Sequence, residues 1–198
     1  MAGLAALCAA AAGFWLAHEL DSSGPTLASG TWLPQARDIA DFHLVDDAGK
    51  PYTAAGLKGH PSLVFFGFTH CPDVCPTTLV KLAQVKKADP VEGLQVLFVS
   101  IDPERDTPAV LSRYVHAFDP RFIGITGDPG AIRKVASQFG VAVARVDLPG
   151  GDYTMDHSAA VFLLDGRGRE RGVFTPPFDV RHIAQDLRTA ARYLGASS

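Results

Sequence analysis

Two stretches of the chain are apolar almost without a break, Ser62–Phe68 (SLVFFGF) and Leu94–Ile101 (LQVLFVSI). Short runs rich in β-branched and aromatic residues are what strands covered on both faces look like, so both predict central strands. Between them Leu79, Leu82, Ala83 and Val85 recur at helical spacing within Pro76–Ala88, and Lys86 and Lys87 supply the charge that a helix C-terminus favours. Strand, helix and strand make one βαβ unit. Thr107 followed by Pro108 reads as the N-cap and first-turn proline of a helix to about Phe118, and Asp128 with Pro129 opens another that stops at Gly140. Ser158–Leu164 predicts a further strand, Asp165 and Gly166 its turn, and Arg171–Phe174 the returning strand of a hairpin. Asp179 caps a last helix in which Val180, Ile183, Leu187, Ala191 and Leu194 share a stripe, with Gly195 as its stop. The fold class is α/β, a mixed sheet flanked by helices.

The N-terminus follows a different pattern. Met1–Ala17 carries no charge and sets Leu4, Leu7, Phe14, Trp15 and Leu16 in an alanine-rich background, near the lower length limit for a membrane span. Trp15 suits the interface, and no basic flank or small-residue cleavage site marks a removable leader, so residues 1–18 read as a transmembrane anchor or signal-anchor. Leu7 stands before Cys8 where lipoprotein processing wants a small residue, which makes Cys8 a small apolar membrane residue. Residues 19–34, with their Ser, Gly and Pro, read as a linker, and 35–198 as the folded domain. A net charge of -3 over 198 residues leaves no broad basic surface for a phosphate backbone, so nucleic acid is not an expected partner. Three cysteines are too few for a disulfide-stapled scaffold.

The cysteine spacing therefore carries the chemical information. Cys71 and Cys75 follow a predicted central strand and precede its helix, the edge of an open α/β sheet where sites gather. Each stands before a proline, Pro72 and Pro76, which disfavours helical backbone, so both sulfurs are expected on a loop at the helix N-terminus, where thiolate is favoured. Asp73 between them opposes that effect. Three residues separate the pair, one more than in a thioredoxin-like dithiol, which leaves room for both sulfurs to face one ion. Spacing alone leaves metal binding and redox chemistry both open. His157, in Asp156-His157-Ser158 at the start of the later strand, is the candidate third ligand. His70 reads as packing or support beside Cys71, and His43, His60, His116 and His182 as surface or core residues.

Three runs, FGFTHCPDVCP (Phe66–Pro76), VSIDPERDTP (Val99–Pro108) and Asp156-His157-Ser158, resemble the Sco/SenC family in content and order, and the likeness extends from about Ile39 to the last helix. The resemblance implies a thioredoxin-like fold of peroxiredoxin-like type, anchored in a membrane outside the cytoplasm. It further implies copper binding in the service of the dicopper centre of cytochrome c oxidase subunit II. Carried over residue by residue, the family's metal ligands fall on Cys71, Cys75 and His157. Two thiolates and an imidazole suit Cu(I), and hold Cu(II) with a further weak ligand. The expected setting is a bacterial cytoplasmic membrane with the domain in the periplasm, where an upstream periplasmic copper chaperone would load it. The rival reading is a thiol-disulfide oxidoreductase that uses Cys71 and Cys75 alone to keep a target's copper-ligand cysteines reduced. A peroxidase is disfavoured because Pro72 replaces the threonine expected three residues before the nucleophile. VSIDPERDTP is expected to serve the fold, with Arg105 and Asp106 pairing locally.

Overall fold

The computed structural model describes residues 24–88 and 90–195, so the expected anchor over 1–18, with Cys8 and Trp15, lies outside the described residues. Among the described residues no helix is long and apolar enough to cross a membrane. The described residues form ten strands: β1 Gly30–Arg37, β2 His43–Asp46, β3 Pro51–Thr53, β4 Ser62–Gly67, β5 Gln95–Ser100, β6 Ile123–Thr126, β7 Val143–Asp147, β8 Tyr153–His157, β9 Val161–Leu164 and β10 Glu170–Phe174. Four α-helices accompany them: α1 Val74–Lys87, α2 Pro108–His116, α3 Pro129–Gln138 and α4 Val180–Leu194.

Eight strands make one mixed sheet in the order β1-β10-β9-β4-β5-β6-β2-β3, and β7 with β8 makes a separate hairpin. β4, β5 and β6 run parallel, while β9, β10, β1 and β2 pair antiparallel with their neighbours. The α/β class with a mixed sheet is therefore as expected. The two apolar runs are its centre: every residue of β4 is buried, as a strand covered on both faces requires. Phe65, Phe66, Phe98 and Leu97 are fully buried, and Phe66 meets Phe139 and Phe162 at ring separations of 5.3 and 6.0 Å. Such side chains contribute about 1.5–3 kcal/mol each relative to exposure, which makes this aromatic layer the main support under the strand ends.

The expected caps close. Thr107 accepts from the Val110 N–H at 3.4 Å, Asp128 from Ala131 at 3.0 Å, and Asp179 from Arg181 and His182 at 2.8 and 3.0 Å. In α4 the inward stripe holds Ala184, Asp186 and Ala190 beside Ile183, Leu187 and Leu194, and Ala190 replaces the expected Ala191 because the buried face is broader than one residue per turn. The stretch read as linker needs correcting at its end: residues 30–34 belong to β1, where Gly30 pairs with Phe174 and Trp32 with Gly172. Pro34 is tolerated there because β1 is an edge strand. Ahead of it, Asp186 accepts from the N–H groups of Ala28, Ser29 and Gly30 at 2.6, 2.8 and 2.9 Å and from the Ser29 hydroxyl at 2.8 Å. The folded unit thus reaches back to at least Ala28, where the sequence pattern starts it at residue 35.

Candidate functional site

β4 ends at Gly67, and the chain turns through Phe68, Thr69 and His70 to reach Cys71. The helix expected from Pro76 begins two residues earlier, at Val74, so Cys75 rides the first turn of α1 rather than a loop. Pro76 permits this because first-turn N–H groups have no intrahelical acceptor to lose. Cys75 is completely buried, Cys71 is half-buried, and both are free thiols. The Cys71 sulfur accepts from the Cys75 N–H at 3.4 Å, which places it at the helix N-terminus. Gly67 is what lets the other sulfur in: a Cβ at that position would stand 2.9 Å from Cys75 Sγ and 2.7 Å from the Phe98 ring. Burial pushes the Cys75 thiol well above its ordinary range, against a hydrogen bond with the Phe68 backbone that lowers it. The thiolate expected from the helix dipole is therefore overridden at Cys75, because desolvation of a fully buried sulfur outweighs the dipole.

His157 arrives from another direction. It is the last residue of β8, opposite Val143 of β7, and not the first residue of the strand that follows. Its ring sits edge-on to Phe65 and Phe68, each at 6.1 Å between centroids. Nδ1 lies 2.8 Å from the Ser158 carbonyl. A carbonyl only accepts, so Nδ1 carries the proton and Nε2 is bare. That bare nitrogen faces Cys75 Sγ at 3.8 Å. Burial lowers the His157 pKa, against the Ser158 carbonyl and Asp156, which raise it. The fold thus brings together two of the three expected ligands, 82 residues apart in sequence. Cys71 is held on the helix end beside them, and among the described residues no three His, Cys, Asp or Glu side chains are gathered closely enough to hold a metal as they stand.

Of the other histidines among the described residues, none lies in the pair formed by Cys75 and His157, and His70, expected as packing or support, does not pack. His70 is exposed and touches the Thr69 hydroxyl at 3.2 Å, and His116 pairs with Asp47 at 3.1 Å. His43 and His60 are exposed, and His182 is an exposed residue in the first turn of α4.

Sequence reasoning missed what fixes the two halves of the site. Arg105 does not pair with Asp106; its Nε donates to Asp102 at 2.5 Å, and Asp106 turns inward. There Asp106 accepts from the Thr69 N–H at 3.0 Å, the Thr69 hydroxyl at 2.5 Å and the Ser100 hydroxyl at 2.7 Å. Burial raises its pKa, with the Ser100 and Thr69 hydrogen bonds opposing. The local pairing fails because three donors already converge on the buried position. On the other side of the same loop, the Tyr153 hydroxyl donates to Asp102 at 2.8 Å and Arg105 Nη1 donates to the Tyr153 carbonyl at 3.1 Å. The Tyr153 ring lies between the guanidinium groups of Arg105 and Arg145, at 3.8 and 3.7 Å. One loop, residues 100–106, therefore grips both the segment leading to Cys71 and the hairpin carrying His157. The run of acids between a strand end and a helix cap was the available signal for it; Tyr153 had none.

Comparison with known proteins agrees with this geometry. The SCO1/SenC family pattern matches residues 33–192. A SCO2-like protein of Rickettsia felis is 42% identical over 133 residues, 65% of this chain, and the match spans 65% of the relative, just under two thirds of its length. Among solved structures, Bradyrhizobium japonicum ScoI with copper bound is 42% identical with a TM-score of 0.70, covering 76% of this chain and 98% of that one. Arabidopsis thaliana ScoI with copper bound is 34% identical with a TM-score of 0.74, covering 79% and 99%. With the whole domain matched in sequence and the same fold found in those relatives, this chain belongs to the SCO1/SenC family.

Proposed function

We propose that Cys71, Cys75 and His157 take up copper as cargo and hand it to the dicopper centre of cytochrome c oxidase subunit II or a related copper oxidase. The domain would be held by residues 1–18 at the outer face of a bacterial cytoplasmic membrane and loaded by a periplasmic copper chaperone. The observation that carries this reading is the bare Nε2 of His157 directed at the Cys75 sulfur, 3.8 Å away. A neutral imidazole stripped of its Nε2 proton is a ready metal ligand, whereas dithiol exchange needs no third ligand and can be carried by the two sulfurs alone. The copper-bound relatives support the same choice of ion. On loading, Cys71 and Cys75 would each give up a thiol proton to solvent, and the Cys71 sulfur would leave the Cys75 N–H to turn toward the ion. Three ligands leave one side open, so a Cys, His or Met of the recipient attacks before the donor's bonds break.

The accessibility of Cys71 favours a second reading, thiol-disulfide exchange: it is the half-buried partner of a fully buried thiol, and the one that an incoming disulfide reaches first. His157→Ala separates the two. Copper handling predicts at least a 10- to 100-fold loss of Cu(I) affinity in competition with a chelator, the range already typical for disturbing groups behind a ligand. The dithiol reduction potential should move little. Unchanged copper affinity with collapsed redox activity would overturn the copper reading in favour of the oxidoreductase.

A further inference from the structure

The end of the domain where the chain enters carries a cluster that the copper site does not use. Arg171 stacks over the Trp32 ring at 4.5 Å, Trp32 meets Tyr193 at 5.7 Å, and Arg192 covers Tyr193 at 4.7 Å. Arg188 is exposed one turn earlier on α4. The one carboxylate within α4, Asp186, faces inward and is occupied by the backbone of Ala28–Gly30, so no acid of this helix offsets its arginines. In a chain of net charge -3 this is a local reversal of sign. Two donors inside the cluster, Trp32 Nε1 and Arg171 Nε, are buried and have no acceptor among the described residues.

The same place is the root of the N-terminal segment. Gly24 packs so closely on the indole that a Cβ there would stand 1.9 Å from Trp32 Nε1, and Asp186 clamps the chain again at Ala28. From the end of the apolar run at Ala17 to Gly24 is at most about 25 Å of extended chain. Arginine beside tryptophan and tyrosine is the composition that membrane interfaces favour, and anionic headgroups supply phosphate oxygens to exposed guanidinium groups such as those of Arg188 and Arg192.

We infer that the Trp32, Arg171, Arg188, Arg192 and Tyr193 end of the domain is a foot that rests on anionic phospholipid headgroups. The inference rests on the reading that residues 1–17 enter a bilayer. A short tether and a clamped root bring this end to the surface. The Cys75 end of α1 then points away from it: α1 and α4 pack side by side, with Lys81 donating to the Phe178 carbonyl and Arg188 to that of Ala88, so their C-termini share the lower end. The foot would therefore present the thiols toward partners that stand above the membrane.

The chain has two tryptophans, so Trp15→Phe in the full chain leaves Trp32 as the single fluorophore. The protein is reconstituted into vesicles of phosphatidylcholine alone or mixed with phosphatidylglycerol, each with some phosphatidylcholine bearing a headgroup nitroxide. The foot predicts strong quenching of Trp32 in the mixed vesicles, weakened by salt, with the docked-to-free ratio falling roughly fivefold for each of Arg188→Gln and Arg192→Gln. Flotation with both vesicle types but equal or absent quenching overturns the foot and leaves the anchor standing. Failure to float with either removes the anchor, and with it the tether on which the foot depends.

Discussion

Asp106→Ala is the most informative single perturbation of the site's support. The carboxylate is fully buried and accepts three hydrogen bonds, from the Thr69 N–H, the Thr69 hydroxyl and the Ser100 hydroxyl. The two hydroxyls can turn elsewhere; Thr69 already has His70 Nδ1 at 3.2 Å. The Thr69 N–H cannot turn, and an orphaned donor costs about 1–3 kcal/mol, with each hydrogen bond to a charged group worth about 1.5–3 kcal/mol net. Against this stands the desolvation of Asp106 itself, so the expected loss is about 3 kcal/mol for alanine and roughly 1 kcal/mol for asparagine, whose amide oxygen keeps the Thr69 N–H. Urea unfolding of the two variants measures this as a shifted midpoint at unchanged slope. The sign of the pH dependence follows from the raised pKa: the folded state holds the Asp106 proton more tightly than the unfolded chain. The advantage of aspartate over asparagine is therefore full below the ordinary value of 3.8 and shrinks as pH rises through the folded value. An alanine variant within about 0.5 kcal/mol of wild type, or an asparagine variant as damaged as alanine, would refute the reasoning.

Asp186 gives the opposite slope. Burial raises its pKa, but the N–H groups of Ala28, Ser29 and Gly30 outweigh that and lower it, so its contribution is present above 3.8 and lost as pH falls through the folded value. Denaturation over that range should show an acid limb that is steeper in wild type than in Asp186→Asn, which keeps only the limb of other carboxylates such as Asp119 and Asp179. A chain beginning at Thr31 loses four donors to Asp186, three N–H groups and the Ser29 hydroxyl, and should be about 2–4 kcal/mol less stable than one beginning at Gly24, seen in thermal midpoints. Gly67→Ala should destabilise by about 1–3 kcal/mol through overpacking, and by pushing the Cys75 sulfur off its position it should weaken Cu(I) binding in the same chelator competition.

Legibility in the sequence followed burial. β4, β5, the caps at Thr107, Asp128 and Asp179 and the β9–β10 hairpin were readable because continuous apolar runs and short polar caps are local signals. β1 was not, since an edge strand reading GTWLPQAR has no period and contains a proline; its place is set by β10 and by a carboxylate 156 residues away. The β7–β8 hairpin was missed for a similar reason: VARVD and YTMDH are partly exposed, and nothing beneath them enforces strict alternation. The three candidate ligands were legible by residue type and by family likeness. The state of Cys75 was not, because the desolvation that overrides the helix dipole comes from Gly67, Phe98 and the core around them, which no local pattern reports.

The separation between Cys75 and His157 is set by neither residue's own neighbours in sequence. Cys75 is fixed by α1, which packs on β5 and α4, while His157 hangs from a two-stranded hairpin outside the main sheet. Such a hairpin is marginal alone, so its position must be imposed from elsewhere. Residues 100–106 impose it: Asp102 and Arg105 hold Tyr153 at the far end of β8, and Asp106, on the same loop, holds Thr69 before the cysteines. Both grips are made by one short segment of backbone, so the two sides of the site are positioned from the same loop. Asp102 and Asp106 are consumed internally, and Glu104 is exposed opposite Arg145 at 3.6 Å, so the charge-rich VSIDPERDTP run contributes none of the candidate ligands. Cys71 is the less constrained of the two thiols, half-buried where Cys75 is buried and with its sulfur accepting a single N–H bond at 3.4 Å, so on the proposed copper reading it is the ligand free to move.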